Sequence, residues 1–157
     1  MNKSILSKRL VVVLSVLLIF ALTMTGCSGK SATKAAEGNI IVTISIMCDS
    51  LKDVDAELMD KVSDNGTILK ETELELKEGA TALDALKESG KDCAETGGMV
   101  TEINGLAGGA AGEMSGWLFK HEGDFPPVGA GDLELKNGDR VEFVFTTNGG
   151  EDLGLTF

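Results

Sequence analysis

The side chains of this 157-residue chain that could carry covalent or metal chemistry are three cysteines and one histidine. They are Cys27, Cys48, Cys93 and His121. No two cysteines have the Cys-x-x-Cys spacing of a zinc site, and no Cys/His cluster exists, so we predict no metal centre. The sequence also lacks a recognisable serine, histidine and aspartate order and a catalytic pair of carboxylates. We therefore predict that the protein is not an enzyme.

Cys27 ends a segment that has the layout of a secretory signal peptide. Two lysines and an arginine precede an apolar run of about 13 residues, from Leu10 to Leu22, which is short for a membrane-spanning helix. Residues 24–27, Met-Thr-Gly-Cys, resemble the lipobox of bacterial lipoproteins, whose cysteine is lipidated before the chain is cut in front of it. The resemblance implies a signal peptide at residues 1–26 and lipidation of Cys27. The alternative is an uncleaved N-terminal anchor helix.

The segments that follow are predicted to be a tether and one domain. Residues 27–38 form the lipidated cysteine and a flexible tether, and residues 39–157 are long enough for a single domain. We expect this domain to lie outside the cytoplasm, held at the cell membrane by the lipid.

The charge of the mature chain limits its partners. The whole chain has a net charge of −11, and removal of residues 1–26 takes away three basic residues, which leaves a net charge of about −14. Such an acidic surface repels phosphate backbones and anionic headgroups. We therefore expect no nucleic-acid partner, and membrane contact only through the lipid.

Lipidation of Cys27 would leave Cys48 and Cys93 as a pair. In an oxidising exterior such a pair is most simply a disulfide. It would close a loop of about 45 residues and contribute about 4 kcal/mol in the chain-entropy model. The alternative is two buried free thiols.

The alternation of apolar and polar residues predicts the elements that must position these side chains. Thr81 and Asp84 have the spacing of a capping box and open a predicted helix at residues 81–89. A short helical turn is expected at residues 56–61. Strands are predicted at residues 39–47, 68–76, 99–103, 116–120, 132–135 and 140–147. We expect an α+β fold, a small β-grasp-like domain of four to five mixed strands with one helix.

Three segments in the second half of the chain carry a resemblance to a known family. They are Ser-Gly-Trp-Leu-Phe at 115–119, Gly-Asp-Phe-Pro-Pro-Val-Gly at 123–129 and Leu-Lys-Asn-Gly-Asp-Arg-Val-Glu-Phe at 135–143. With the strand-to-helix junction at residues 76–86, they resemble the transcobalamin-like C-terminal domain, a DUF4430-type domain of bacterial surface proteins. The resemblance covers nearly all of residues 40–153.

That resemblance implies a corrinoid ligand. In animal transcobalamin and intrinsic factor this domain closes over cobalamin, while a helical domain holds the other face of the vitamin. No helical domain is evident in this sequence, so a helical partner protein or a transporter is an expected partner. The implied ligand surface comprises the glycine-rich segment and the hairpins that follow it. Its implied ligand-binding residues are Trp117, Phe125, Pro126, Val128, Gly129, Leu106 and Met114.

Trp117 and His121 each allow two interpretations. Trp117 could form an aromatic surface for a flat macrocycle with Phe125, or it could be the core residue of a small sheet. Phe125, before two prolines, is the better candidate for exposure. His121 could be an axial ligand to cobalt or iron, or a solvated turn residue.

The functional prediction is a lipid-anchored binding protein outside the cytoplasm that captures a corrinoid (cobalamin-like) or related cofactor for uptake. The alternative is a cell-surface module whose sheet edge and acidic face bind another protein, with no small-molecule ligand.

Overall fold

The computed structural model describes residues 35–156, so the predicted signal peptide at residues 1–26 and Cys27 lie outside the described residues. The strands are β1 (Asn39–Met47), β2 (Thr67–Lys77), β3 (Cys93–Thr96), β4 (Met99–Ile103), β5 (Leu106–Ala107), β6 (Gly116–His121) and β7 (Arg140–Thr146). The α-helices are α1 (Ala56–Val62) and α2 (Ala82–Glu88), and short 3₁₀ helices lie at Asp49–Asp53 and Glu151–Leu153. Among residues 35–156, no helix is long and apolar enough to cross a bilayer.

The larger sheet has four strands in the order β2-β1-β7-β6, and β1 and β7 are its parallel central pair. Successive side chains of a strand point to opposite faces, and the alternation in β1 accordingly places Val42, Ile44 and Ile46 on one face, fully buried. Phe143 and Phe145 of β7 face the same side and are almost fully buried. This face is the centre of the hydrophobic core.

The core is closed by α2 and by a second, three-stranded sheet of order β3-β4-β5. Helix α2 buries its apolar side against β1 and β2. Ile103 of β4 pairs with Leu106 of β5, and both side chains are fully buried. All buried apolar residues of the described part lie between Ile40 and Phe145. A soluble form that begins at Ser28 therefore keeps all of them.

The observed elements confirm the α+β class and add to the predicted set. Five strands and the helix at residues 81–89 lie close to their predicted positions. The predicted helical turn at residues 56–61 is a full helix, α1, so residues 35–156 contain two α-helices instead of the one expected. Strands β3 and β5 are additional, which makes seven strands in this described part instead of four to five. The β-grasp assignment stays a prediction.

The segment at residues 132–135 is not the predicted strand. It makes one isolated bridge, between Thr81 and Glu134. The Leu133 carbonyl oxygen accepts a hydrogen bond from Ala82 N (2.9 Å), and Leu135 N donates to the Ala80 carbonyl oxygen (2.8 Å). This short segment therefore binds the start of α2 and does not extend a sheet.

The two described cysteines are free thiols, so the predicted Cys48–Cys93 disulfide is not formed in the structure. Cys48 follows β1 of the larger sheet and is buried near Ser63, whereas Cys93 begins β3 of the smaller sheet, half-buried near Lys87. The two thiols thus have different surroundings. Burial raises the pKa of each thiol above 9.0, so both stay protonated and weakly reactive at neutral pH. The alternative of two buried thiols holds for Cys48 only.

Helix α2 begins with the predicted capping box. The Thr81 hydroxyl oxygen accepts a hydrogen bond from Asp84 N (3.2 Å), and Asp84 Oδ2 accepts one from Thr81 N (2.8 Å). Asp84 Oδ2 also accepts a hydrogen bond from the Thr81 hydroxyl (2.8 Å). The two bonds that the carboxylate accepts, from the Thr81 backbone first and from its hydroxyl second, lower the pKa of Asp84 below its ordinary value of 3.8. The pKa of Asp84 is thus lower in the folded than in the unfolded protein. The ionised carboxylate therefore stabilises the fold at a pH above the unfolded pKa, and this stabilisation is lost as the pH falls through the folded pKa.

We expect the substitution Asp84→Asn to reduce the free energy of unfolding by about 0.3–1 kcal/mol at pH 7, because a negative charge at the helix N-terminus is lost. The difference from the wild-type protein should shrink as the pH is lowered from 7 through the folded pKa of Asp84, because the wild-type carboxylate then becomes protonated. Urea unfolding followed by circular dichroism over this pH range measures both effects. Asp60→Asn, at an exposed position of α1, is the matched control and should show neither. A difference that does not change with pH would contradict the role of the charge.

Candidate ligand-binding cavity

An apolar cavity of about 730 Å³ lies between the two sheets and the loop after β6. Its walls come from residues 99–101 of β4, residues 116–119 of β6 and residues 125–130 of the loop. Gly108, Phe143 of β7 and, from the C-terminal segment, Gly149 and Leu155 complete the lining. The volume falls within the roughly 300–1,000 Å³ of typical small-molecule sites.

The cavity wall carries no charged side chain, although the chain contains 25 acidic and 14 basic residues. The Trp117 indole N–H is already donated to the Leu106 carbonyl oxygen at 2.7 Å. The hydroxyl of Thr101 is the remaining polar side-chain group of the lining. Because a charge is costly to bury without a partner, this wall fits an uncharged and largely apolar ligand surface.

Exposed apolar side chains gather at this cavity. Of the large apolar residues of the described part, four are exposed: Val54, Met99, Met114 and Val128. Met99 and Val128 line the cavity while 65% and 44% exposed. The carbonyl oxygen of Met114 accepts a hydrogen bond from the cavity residue Gly149 (2.8 Å). A concentration of exposed apolar surface in one place is typical of a binding site.

Trp117 belongs to the core and to the cavity wall at once. Its side chain is 9% exposed, and its ring meets the Phe145 ring edge-on, with 5.2 Å between the centroids. The structure therefore agrees with the interpretation of Trp117 as a core residue of the sheet, while part of the same side chain borders the cavity.

Phe125 and the two prolines after it form the outer wall. Phe125 is half-buried, so it is the more exposed of the two aromatic residues, as predicted. The Lys120 Nζ atom lies 5.1 Å from the centroid of the Phe125 ring, within range of a cation–π interaction. Pro126 and Pro127 restrict the backbone that follows, because the proline ring fixes φ. This wall is therefore shaped before a ligand arrives.

A close approach of two glycines holds the loop against the smaller sheet. Gly131 N donates a hydrogen bond to the Gly98 carbonyl oxygen (3.0 Å). A Cβ atom on Gly131 would lie 2.9 Å from Gly98 Cα, closer than such atoms come in proteins. The absence of a side chain at this position lets the loop sit beside Met99, on the opposite wall of the cavity.

The residues implied in ligand binding divide into three groups. Five of them line the cavity: Trp117, Phe125, Pro126, Val128 and Gly129. Leu106 is fully buried in the core, so it cannot contact a ligand there, and Met114 lies outside the lining, beside Gly149. Residues 99–101 and Leu155 line the cavity but were not predicted. For residues 99–101, the one signal in the sequence was the apolar Met99 directly after two glycines.

His121 is the last residue of β6 and does not line the cavity. Its Nε2 atom lies 2.9 Å from Asp139 Oδ2, and its side chain is 28% exposed. The interpretation as a solvated turn residue is therefore only partly correct, since the ring is bound to a carboxylate.

A known protein family matches the part of the chain that forms most of the cavity wall. Residues 79–147 match the family described as Domain of unknown function (DUF4430). The matched range is less than half of the 157-residue chain, but it includes β4, β6 and the 125–130 loop. The predicted resemblance to a DUF4430-type domain is confirmed over these residues. No curated protein matches the chain in sequence.

Two solved structures are similar to this chain. The crystal structure of haptocorrin in complex with Cbi superposes with a TM-score of 0.51 at 18% identity, covering 78% of this chain and 29% of haptocorrin. This chain thus spans less than a third of haptocorrin, and the likeness concerns the fold. A candidate metal-binding protein from Ruminococcus gnavus ATCC 29149 has a TM-score of 0.43 at 13% identity, with 68% of this chain and 96% of that one covered.

Proposed function

We propose that this protein is a lipid-anchored binding protein outside the cytoplasm that captures a corrinoid by one of its apolar faces. The observation that carries the proposal is the uncharged cavity with Met99 and Val128 exposed on its walls. The matched DUF4430 family and the fold shared with part of haptocorrin, which was solved with the cobalamin precursor Cbi, support the choice of ligand class. The lipid anchor rests on the lipobox-like residues 24–27.

The shape of the cavity suits capture of one face of a flat macrocycle. Its walls combine aromatic and proline rings with exposed aliphatic side chains, so dispersion and apolar burial would supply most of the affinity. Since Met99 and Val128 are open to solvent, a macrocycle would remain accessible from the other side. We expect a helical partner protein or a transporter to take that second face, and the isolated domain to bind more weakly than the pair.

An alternative function is favoured by the position of β6. This strand lies at the edge of the larger sheet and also lines the cavity. An extended segment of another protein could pair with an edge strand and place apolar side chains in such a groove. In this alternative the protein is a surface interaction module without a small-molecule ligand. Neither proposal assigns a reaction to the domain.

Calorimetric titration of the soluble form that begins at Ser28, with cobalamin and with cobinamide, tests the proposal. We expect saturable binding with one ligand per chain. Trp117 is the single tryptophan and borders the cavity, so its fluorescence should be quenched with the same saturation. Absence of both heat and quenching at millimolar ligand would reject corrinoid capture by this domain alone. Saturable heat without any effect on Trp117 would place the ligand elsewhere.

A further inference from the structure

A group of metal-binding side chains lies at one end of the β6–β7 pair, outside the cavity. One ring nitrogen of His121 and one carboxylate oxygen from each of Glu122 and Asp139 lie within 4.8 Å of one another. Among residues 35–156, this is the one set of three or more such groups that meets this spacing. We propose that these three side chains form a binding site for a divalent transition-metal ion of the zinc type.

The β6–β7 pair places the three ligands, and backbone N–H groups hold the two carboxylates. His121 ends β6 and Asp139 directly precedes β7, and these strands pair in register up to His121 and Val141. Asp139 Oδ2 accepts a hydrogen bond from Lys136 N (2.9 Å), and Glu122 Oε1 accepts one from Arg140 N (2.6 Å). Each carboxylate is thus held through one oxygen, and the second oxygen has no hydrogen-bond partner among the described residues.

The spacing agrees with coordination by one ion. Nitrogen and oxygen ligands lie about 2.0–2.2 Å from Zn²⁺, so neighbouring ligand atoms in a tetrahedral site are about 3.3 Å apart. His121 Nε2 and Asp139 Oδ2 are already 2.9 Å apart. Glu122 is exposed, and its carboxylate oxygen lies within 4.8 Å of the other two ligand atoms, so a movement of at most about 1.5 Å brings it to that spacing. Three protein ligands leave a fourth position for water.

The donor set and the local charge favour a transition metal. An imidazole with two carboxylates suits Zn²⁺ better than Mg²⁺ or Ca²⁺, which prefer oxygen ligands alone. Two carboxylates would neutralise the charge of the ion. The nearby Arg140 guanidinium does not compete for them, because it binds Glu142 (2.6 Å) and Glu71 (2.9 Å).

A metal here would stabilise the loop that forms the outer cavity wall. The site lies at the start of the segment that continues to Phe125 and Val128. An ion would connect the end of β6 to the start of β7 across this loop. The proposal does not depend on the identity of the ligand in the cavity. It replaces the prediction of no metal centre, which was drawn from residues close in sequence, whereas Asp139 lies 18 positions from His121.

Calorimetric titration of the soluble form from Ser28 with zinc sulfate tests this site. We expect one Zn²⁺ per chain and a rise in the unfolding midpoint temperature when zinc is added, since an ion that binds the folded state stabilises it. His121→Gln retains an N–H for Asp139 but removes the imidazole, and Asp139→Asn removes a charged ligand. Each should weaken zinc binding by about tenfold or more, because even loss of a supporting partner costs about 10–100-fold.

Two control variants separate this site from other zinc-binding groups. Asp60→Asn removes an exposed carboxylate elsewhere, and Cys93→Ser removes the more accessible thiol. Both should bind zinc as the wild-type protein does. Circular dichroism of every variant identifies any that fail to fold, and Glu122→Gln, at an exposed turn, serves as a further ligand variant. No zinc binding by the wild-type protein, or unchanged binding by the folded ligand variants, would show that these residues are an ion-pair cluster only.

Discussion

Replacement of Trp117 by alanine is expected to lower the free energy of unfolding by about 3–5 kcal/mol. The side chain is 9% exposed and packs edge-on against Phe145 in the centre of the core. Alanine would leave a cavity there and would also leave the Leu106 carbonyl oxygen without the N–H that it accepts at 2.7 Å. Since domains of this size are stable by about 5–15 kcal/mol, the variant should be close to unfolding.

Urea unfolding of the soluble form, followed by circular dichroism because the variant has no tryptophan, measures this loss. Trp117→Phe is the matched control, since it keeps an aromatic ring and removes only the N–H and part of the volume. It should cost about 1–3 kcal/mol. A loss below about 1 kcal/mol for Trp117→Ala would mean that this residue does not hold the core together.

Introduction of a carboxylate at Val128 is expected to weaken ligand capture by about 10- to 100-fold, with stability changed by less than about 0.5 kcal/mol. Val128 is 44% exposed before a ligand binds, so Val128→Asp leaves the charge solvated in the free protein. A ligand that covers this wall would have to remove water from the charge, and the cavity lining offers no basic side chain to pair with it.

Val54→Asp provides a matched control for this experiment. Val54 is the same residue type, is 57% exposed, and does not line the cavity. Calorimetric titration of both variants with cobinamide should therefore show weaker binding for Val128→Asp alone. Equal affinities for the two variants and the wild-type protein would place the ligand outside this cavity.

The elements that sequence predicted well are those whose local pattern and long-range packing agree. In β1, alternation places the β-branched residues Val42, Ile44 and Ile46 on the buried face, and in α2 the capping box fixes the first turn. Strand β3, at residues 93–96, lacks a buried side chain, and β5 has only two residues. Neither strand therefore shows the alternation of apolar and polar residues that predicts a strand. These strands form because they pair with β4, and this pairing cannot be predicted from a local sequence pattern.

The candidate cavity was half predicted for a similar reason. Residues 125–129 could be predicted because they combine an aromatic residue, two prolines and a glycine in a loop. These residues do form one wall of the cavity. The opposite wall, Met99 to Thr101, depends on how the smaller sheet is placed against β6. That placement requires Gly131 to touch Gly98, and a contact between glycines leaves no periodic signal in the sequence. Leu106 was misplaced because the whole glycine-rich segment was expected to belong to the ligand surface, whereas this residue is fully buried in the core.

The parallel pairing of β1 with β7 has a consequence for how the chain assembles. Thr43 and Arg140 are neighbours across the centre of the sheet although almost the whole domain separates them in sequence. The middle of the core therefore cannot form until the last strand has been synthesised, and contacts of such long range make folding slow. Until then, the apolar strand β1 lacks β7, its partner at the centre of the sheet. Delayed folding of this kind suits the secretion that we propose, in which an extended polypeptide passes through a narrow channel before it folds.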